Sequence, residues 1–294
     1  MEKVWRKKRS SKGNAYAVWE ERWVPRIHTR YLDCVIYLYH TKQDAEYATV
    51  HCNGGSGFLV GIPSSRYRFA THLYAVSNRH VIEASPVVRL NTMKGDMDVL
   101  DLKPSDWIST QTHDIAVCPM HLSTEYRFEF IPISVFVSQE TLISIGDDLF
   151  MVGRFVNHEG RQRNAPSLRF GNIAMMPGEP VFHAHNTPKE QISFLADIRT
   201  VGGYSGSPVF KYDRQATWNG HDAVVGSPPA DEPLLLGVEW GHLLDHNNAI
   251  TGMSAVVPAW YLSELLDSPQ LKAARDQQDE RFGEQSEHFG TALT

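Results

Sequence analysis

Ser205 stands in Thr200-Val201-Gly202-Gly203-Tyr204-Ser205-Gly206-Ser207-Pro208, a serine set among glycines. Glycine lets the backbone wrap closely around a reacting carbonyl and turn its N–H groups toward a developing oxyanion. A serine hydroxyl is a weak nucleophile until a base takes its proton. The apolar run Ala75-Val76-Ser77 leads through Asn78-Arg79 to His80, which supplies an imidazole. A carboxylate is then needed to fix the ring's tautomer and stabilise its charged form. Asp114, at the mouth of Ile115-Ala116-Val117, supplies it. The chemistry these three offer is acyl transfer, with Ser205 as nucleophile, His80 as general base and Asp114 as orienting acid. The backbone N–H groups of Gly203 and Ser205 form the expected oxyanion hole.

Other readings of the same residues are weaker. Serine in a glycine-rich turn is common, and only His80 and Asp114 raise Ser205 above that background. A nucleophile elbow fails because Gly203-x-Ser205-x-Ser207 lacks the last glycine and Pro208-Val209-Phe210 continues as a strand, where that motif needs a helix. Asp96, Asp98, Asp101 and Asp106 compete with Asp114, but none directly precedes so apolar a strand. His113 adjoins Asp114, and neighbours on a strand face opposite ways, so it is expected at the surface. His183-Ala184-His185 has no third ligand at a metal-site spacing, and Gly54-Gly55-Ser56-Gly57 lacks the Lys-Ser/Thr ending of a phosphate loop. No metal and no organic cofactor are expected.

The order histidine, aspartate, serine is that of the chymotrypsin-type double barrel. Five segments in order resemble trypsin-like serine peptidases, nearer the HtrA/Deg branch than the secreted digestive branch. They are Gly55-Ser56-Gly57-Phe58-Leu59-Val60, Ser77-Asn78-Arg79-His80-Val81, Asp114-Ile115-Ala116-Val117, the run Gly146 to Gly153, and Gly203-Tyr204-Ser205-Gly206-Ser207-Pro208. The resemblance implies a serine endopeptidase acting through an acyl-enzyme, with a protein or peptide as substrate. The alternative is a non-catalytic trypsin-like module that binds a protein or peptide in the same cleft. Gly237-Val238-Glu239-Trp240-Gly241 resembles the family's substrate-pairing strand, which makes Trp240 and Gly241 expected substrate contacts. Glu239 replaces a serine frequent in digestive members and reads equally well as a solvent-facing charge. The pocket floor is expected near Asp197 to Thr200 and Met253-Ser254. Tyr204 stands where zymogen-type members carry an acid that pairs with a newly cut N-terminus. Activation by that ion pair is therefore not expected, and ordering of Gly202-Gly203 by an activating protein partner, an oligomer or substrate becomes the control point.

Short segments rich in β-branched and aromatic residues, punctuated by glycine and proline, must hold these groups. The expected fold is all-β, two six-stranded antiparallel β-barrels of chymotrypsin-like type with a C-terminal helix. Residues 1–30 form a basic extension, 31–135 the first barrel with His80 and Asp114, 136–267 the second barrel and closing helix with Ser205, and 268–294 a charged tail. Proline at Pro258 followed by Trp260, Leu262, Leu265 and Leu266 marks the helix. The segment 270–287 reads as a frayed helix or disordered tail.

Hydrophobic residues make up 42% and charged residues 21% of the 294, an ordinary globular balance. No apolar run reaches the length of a membrane span, and no membrane association is expected. A net charge of −6 argues against nucleic acid as a partner, since phosphate binding needs clustered cations. The basic start, Met1 to Ser10, lacks the apolar stretch of a signal peptide after it. Only three scattered cysteines occur, Cys34, Cys52 and Cys118. Together these favour a reducing cytoplasm.

Overall fold

The computed structural model describes residues 2–9, 15–22, 27–47, 54–183, 189–212, 232–244, 247 and 249–291. The first elements are β1 (Glu2–Arg9), β2 (Ala15–Arg22), α1 (Arg30–Asp33), β3 (Val35–Tyr39), α2 (Lys42–Tyr47), β4 (Gly54–Pro63), β5 (Thr71–Ser77) and α3 (Arg79–Ala84). Then come β6 (Val87–Asn91), β7 (Met97–Leu100), β8 (Ile108–Ser109), β9 (Ala116–Met120) and β10 (Ile131–Pro132). The second half runs β11 (Asp148–Gly153), β12 (Ser167–Met175), β13 (Pro180–His183), β14 (Lys189–Ile192), β15 (Phe194–Asp197), β16 (Pro208–Lys211), β17 (Leu234–Leu244) and β18 (Ile250–Pro258). Helices α4 (Ala259–Leu266) and α5 (Pro269–Thr291) close it.

The architecture is the expected all-β pair of antiparallel units followed by helix. In the second unit the strands close into a barrel in the order β11-β12-β15-β18-β17-β16. The first is an eight-stranded sheet, β7-β6-β3-β4-β5-β9-β8, with β10 added in parallel to β4. Its extra strands, β8 and β10, are two residues long, too short to register as periodicity. Strand β3 (Val-Ile-Tyr-Leu-Tyr) is buried at every position, as a strand flanked on both sides must be. β1 and β2 pair as a separate antiparallel ribbon.

Buried polar groups help bind the two units. Arg154, just after β11, is fully buried, pairs with Glu159, donates to the Leu38 carbonyl at 3.0 Å and lies over the Tyr39 ring at 4.0 Å. Arg89 on β6 is equally buried and donates to the Gly160 and Arg161 carbonyls at 3.1 and 2.9 Å. Burying a guanidinium is costly, and these contacts meet part of each donor set, with Arg89 Nε and Arg154 Nη2 left without a hydrogen-bond partner among the described residues.

The segment read as either a frayed helix or a disordered tail is helical, within α5. Leu271 is fully buried, and one turn after another presents Arg275, Gln278 and Asp279 to the first sheet. His72 Nε2 on β5 lies 3.1 Å from Asp279 Oδ1, its Nδ1 is 2.8 Å from Gln278 Oε1, and Ser64 donates to Asp279 at 2.8 Å. No helix among the described residues is long and apolar enough to cross a membrane.

Candidate active site

His80 owes its place to a strand that stops short. β5 ends at Ser77, and Asn78 stays extended (φ −80°, ψ 148°) at the cap of α3. Val81 and Ile82 sink into the core, so this single turn of helix turns His80 outward with its side chain 38% exposed. The Asp114 carboxyl, in the turn before β9, is only 2% exposed. Its Oδ2 lies 2.5 Å from His80 Nδ1, and its Oδ1 accepts the His80 backbone N–H at 2.9 Å. One carboxylate thus grips both ring and main chain. Asp114 is itself fixed: Asn78 donates to its carbonyl at 2.8 Å, and its N–H donates to Gln191 Oε1 at 2.9 Å. With Nδ1 committed to the carboxylate, Nε2 is the nitrogen left to move a proton. The rival aspartates at 96, 98, 101 and 106 are all exposed.

Ser205 comes from the loop between β15 and β16, and the first sheet holds that loop in place. The Ser56 N–H on β4 donates to the Ser205 carbonyl at 2.8 Å, and Ser56 Oγ donates to the Gly203 carbonyl at 2.7 Å. Ser77 Oγ in turn donates to the Ser56 carbonyl at 2.8 Å. Gly203 and Gly206 have φ of +99° and +89°, a region costly for other residues. A Cβ on Gly206 would also run into the Ser56 carbonyl and Ser77 Oγ. With its carbonyl held by Ser56, Gly203 keeps its N–H free: among the described residues neither the Gly203 nor the Ser205 N–H has an internal acceptor. The Ser205 main chain packs where a side chain on Gly55 would meet it, beside Val81, the residue after His80. Among the described residues Ser205 Oγ and the His80 ring share no hydrogen bond in this conformation.

Residues 55–217 match the trypsin-like peptidase domain, more than half of the chain and all three of His80, Asp114 and Ser205. The chain belongs to that peptidase family. Among solved structures it is similar to the HtrA-type protease AlgW with a tripeptide, at 14% identity and a TM-score of 0.49, covering 80% of this chain and 60% of that one. A variant of AlgW with a tripeptide matches at 14% identity and a TM-score of 0.48, with the same coverage. The chain thus spans 60% of the length of those proteases. No curated protein matches it.

Beyond the matched residues, Glu239 on β17 departs from expectation. Glu239 is not a solvent-facing charge; it is 1% exposed. A bulge in the β17–β18 ladder between Glu239 and Gly241 re-aims the side chains there. Burial pushes the Glu239 carboxyl up to about 7, against the opposing pull of the Ser254 hydroxyl, the His80 charge and the Gly241 N–H. The Trp240 ring is also withdrawn, 3% exposed, with Nε1 donating to Ser193 Oγ at 2.9 Å. The indole therefore presents little of its ring at the surface, which leaves its main chain as the part a peptide could pair with. β16 pairs with β17 as far as Val238.

Tyr204 is fully buried, and its hydroxyl bonds Ser167 and accepts from Arg169 Nε at 3.0 Å. A neutral phenol network on β12 anchors the residue before Ser205. His113 is half-buried rather than on the surface, stacked on Tyr261 of α4 at 3.6 Å, and burial pulls its pKa down. It does not pair with Asp114. The sequence reading missed Gln191, which sits on the β13–β14 hairpin, a pair of strands without apolar alternation. Among the described residues no group of acidic, histidine and cysteine side chains could hold a metal ion; His185 lies outside the described residues.

Proposed function

We propose that this peptidase domain is an active serine endopeptidase that works without metal or organic cofactor. Ser205 Oγ attacks the scissile carbonyl while His80 Nε2 takes its proton, and Asp114 stabilises the resulting imidazolium. The negative oxygen of the tetrahedral intermediate is received by the Gly203 and Ser205 N–H groups. His80 returns the proton to the leaving amine, and water repeats the sequence to release the acyl group from Ser205. An extended peptide runs alongside β17 at Trp240–Gly241 through main-chain hydrogen bonds. A reducing, intracellular setting is part of the proposal, supported by the thiols of Cys34 and Cys118, both free and buried.

The observation that carries the reading is the two-point grip of Asp114 on His80 beside a loop whose Gly203 and Ser205 N–H groups are uncommitted. Digestion of an unbiased peptide mixture tests it. The natural chain should cleave, whereas Ser205→Ala and His80→Ala should fall to background. Equal cleavage by all three would refute it. The absence of a Ser205–His80 hydrogen bond in this conformation favours a second reading, a peptide-binding module without catalysis. Catalytic hydrogen bonds often tighten only once substrate is bound, so saturable peptide binding with no cleavage is the result that would establish that reading.

A further inference from the structure

Asp114 lies just outside the strand ladder. β9 pairs with β5 and β8 only from Ala116 onward, so the main chain two residues earlier is placed by other means. Side chains do it: Asn78 donates to the Asp114 carbonyl at 2.8 Å, and Gln191 Oε1 accepts the Asp114 N–H at 2.9 Å. Asn78 comes from the same unit as the acid. Gln191 does not, for β14 belongs to a hairpin inserted between β12 and β15 of the second unit, and Gln191 stands three residues ahead of Phe194 on the barrel wall. The side chain is deeply buried, 6% exposed. A main-chain N–H can only donate, so the atom that meets it is the amide oxygen. Nε2 is buried with no hydrogen-bond partner among the described residues. A buried amide satisfied only on its oxygen side is costly to keep, which singles out the bond to Asp114 as the reason for a glutamine here. The same residue is tied to β17: its carbonyl accepts from Ser193 Oγ at 3.3 Å, and Ser193 Oγ accepts from Trp240 Nε1 at 2.9 Å.

We propose that Gln191 is a positioning residue of the reaction, through which the second unit, the bearer of Ser205, sets the Asp114–His80 pair of the first. This rests on the serine-peptidase reading above. Ser205 and His80 stand on different units, and proton transfer between them falls off steeply when either is misplaced. A fixed serine therefore needs a fixed acid and base opposite it. The first unit holds the Ser205 carbonyl through the Ser56 N–H at 2.8 Å; Gln191 makes the reciprocal tie, from the second unit to the acid. A chain of hydrogen-bonded residues runs from Trp240 through Ser193, Gln191 and Asp114 to His80. The strand that would hold the peptide is thereby joined to the base that would act on it.

The test compares the natural chain with Gln191→Met, which keeps the length and bulk of the side chain and removes the amide acceptor, and with Gln191→Glu, which keeps an oxygen in the place of Oε1 and gives up only the unpartnered Nε2. Two quantities are read on the folded proteins: the rate of labelling by a fluorophosphonate, and the NMR signal of the His80 Nδ1 proton held by Asp114. In Gln191→Met labelling should slow about 10- to 100-fold, and the Nδ1 proton signal should broaden and move upfield as its bond to Asp114 loosens. In Gln191→Glu the signal should persist and labelling should return to within about threefold of the natural rate, since a carboxyl oxygen also accepts a main-chain N–H. Should Gln191→Met fail to fold, Gln191→Asn replaces it, its carbonyl ending one methylene short of Asp114, with the same two losses expected. A role confined to stability would lower the melting temperature and leave both rate and signal unchanged. That result, or a Gln191→Glu chain as slow as Gln191→Met, overturns the proposal. Failure of the peptidase reading looks different: the natural chain would not label at all, while the Nδ1 proton would still report whether Gln191 sets the pair.

Discussion

Ser56 and Ser205 are joined across the two units by a main-chain hydrogen bond, Ser56 N–H to the Ser205 carbonyl at 2.8 Å. The Ser205 backbone is therefore positioned by β4 of the first sheet as much as by its own barrel. The Ser56 side chain adds a second tie, donating to the Gly203 carbonyl and accepting the Arg154 N–H at 2.8 Å. Holding that carbonyl fixes the direction of the Gly203 peptide, on which an oxyanion hole depends.

Ser56→Ala should accordingly lose both stability and activity. Two buried hydrogen bonds disappear, leaving the Gly203 carbonyl and Arg154 N–H unmatched, for a cost of about 1–3 kcal/mol. Thermal unfolding measures that loss. Acylation of the folded variant should slow by about tenfold or more as the Gly203 amide loses its aim.

Glu239 gives stability a pH dependence of known sign. Its carboxyl titrates near 7 when folded and near 4.5 when free, so the folded chain holds a proton that the unfolded chain has lost between those values. Stability from this group is full below about pH 4.5, falls as the pH rises toward about 7, and is level above that, a change of a few kcal/mol. Melting temperatures across this range should fall more steeply for the natural chain than for Glu239→Gln. Parallel curves would show that the acid is not buried as described.

Helix α5 is anchored by polar contacts. Asp279→Ala would leave His72 and Ser64 without their buried partner, and the chain should lose about 1–3 kcal/mol by chemical denaturation. Lys272→Ala, on the exposed face of the same helix, should cost less than about 0.5 kcal/mol.

The pairing of His80 with Asp114 was legible because each sits in a short motif where an apolar strand meets a turn, and such breaks show in composition alone. The strands of the second barrel were legible for the same reason: Ser167 to Met175 and Pro208 to Tyr212 are near the bounds of β12 and β16. Glu239 was not, because a charge inside the pattern of β17 reads as outward-facing, and a bulge is a feature of pairing rather than of sequence. Gln191 escaped notice because Lys189-Glu190-Gln191 has no apolar alternation, yet Gln191 is buried to meet the Asp114 N–H. The sequence left α5 between a frayed helix and a disordered tail, since a helix held by Arg275, Gln278 and Asp279 has almost no hydrophobic stripe to detect.

The most direct measurement is the mass of the Ser205 peptide after exposure of the folded chain to a fluorophosphonate. The account predicts one phosphonyl group on Ser205, absent in Ser205→Ala and formed about a thousandfold more slowly in Asp114→Asn, whose His80 would take the wrong tautomer. An unmodified Ser205, or equal labelling in the Asp114→Asn chain, would contradict it.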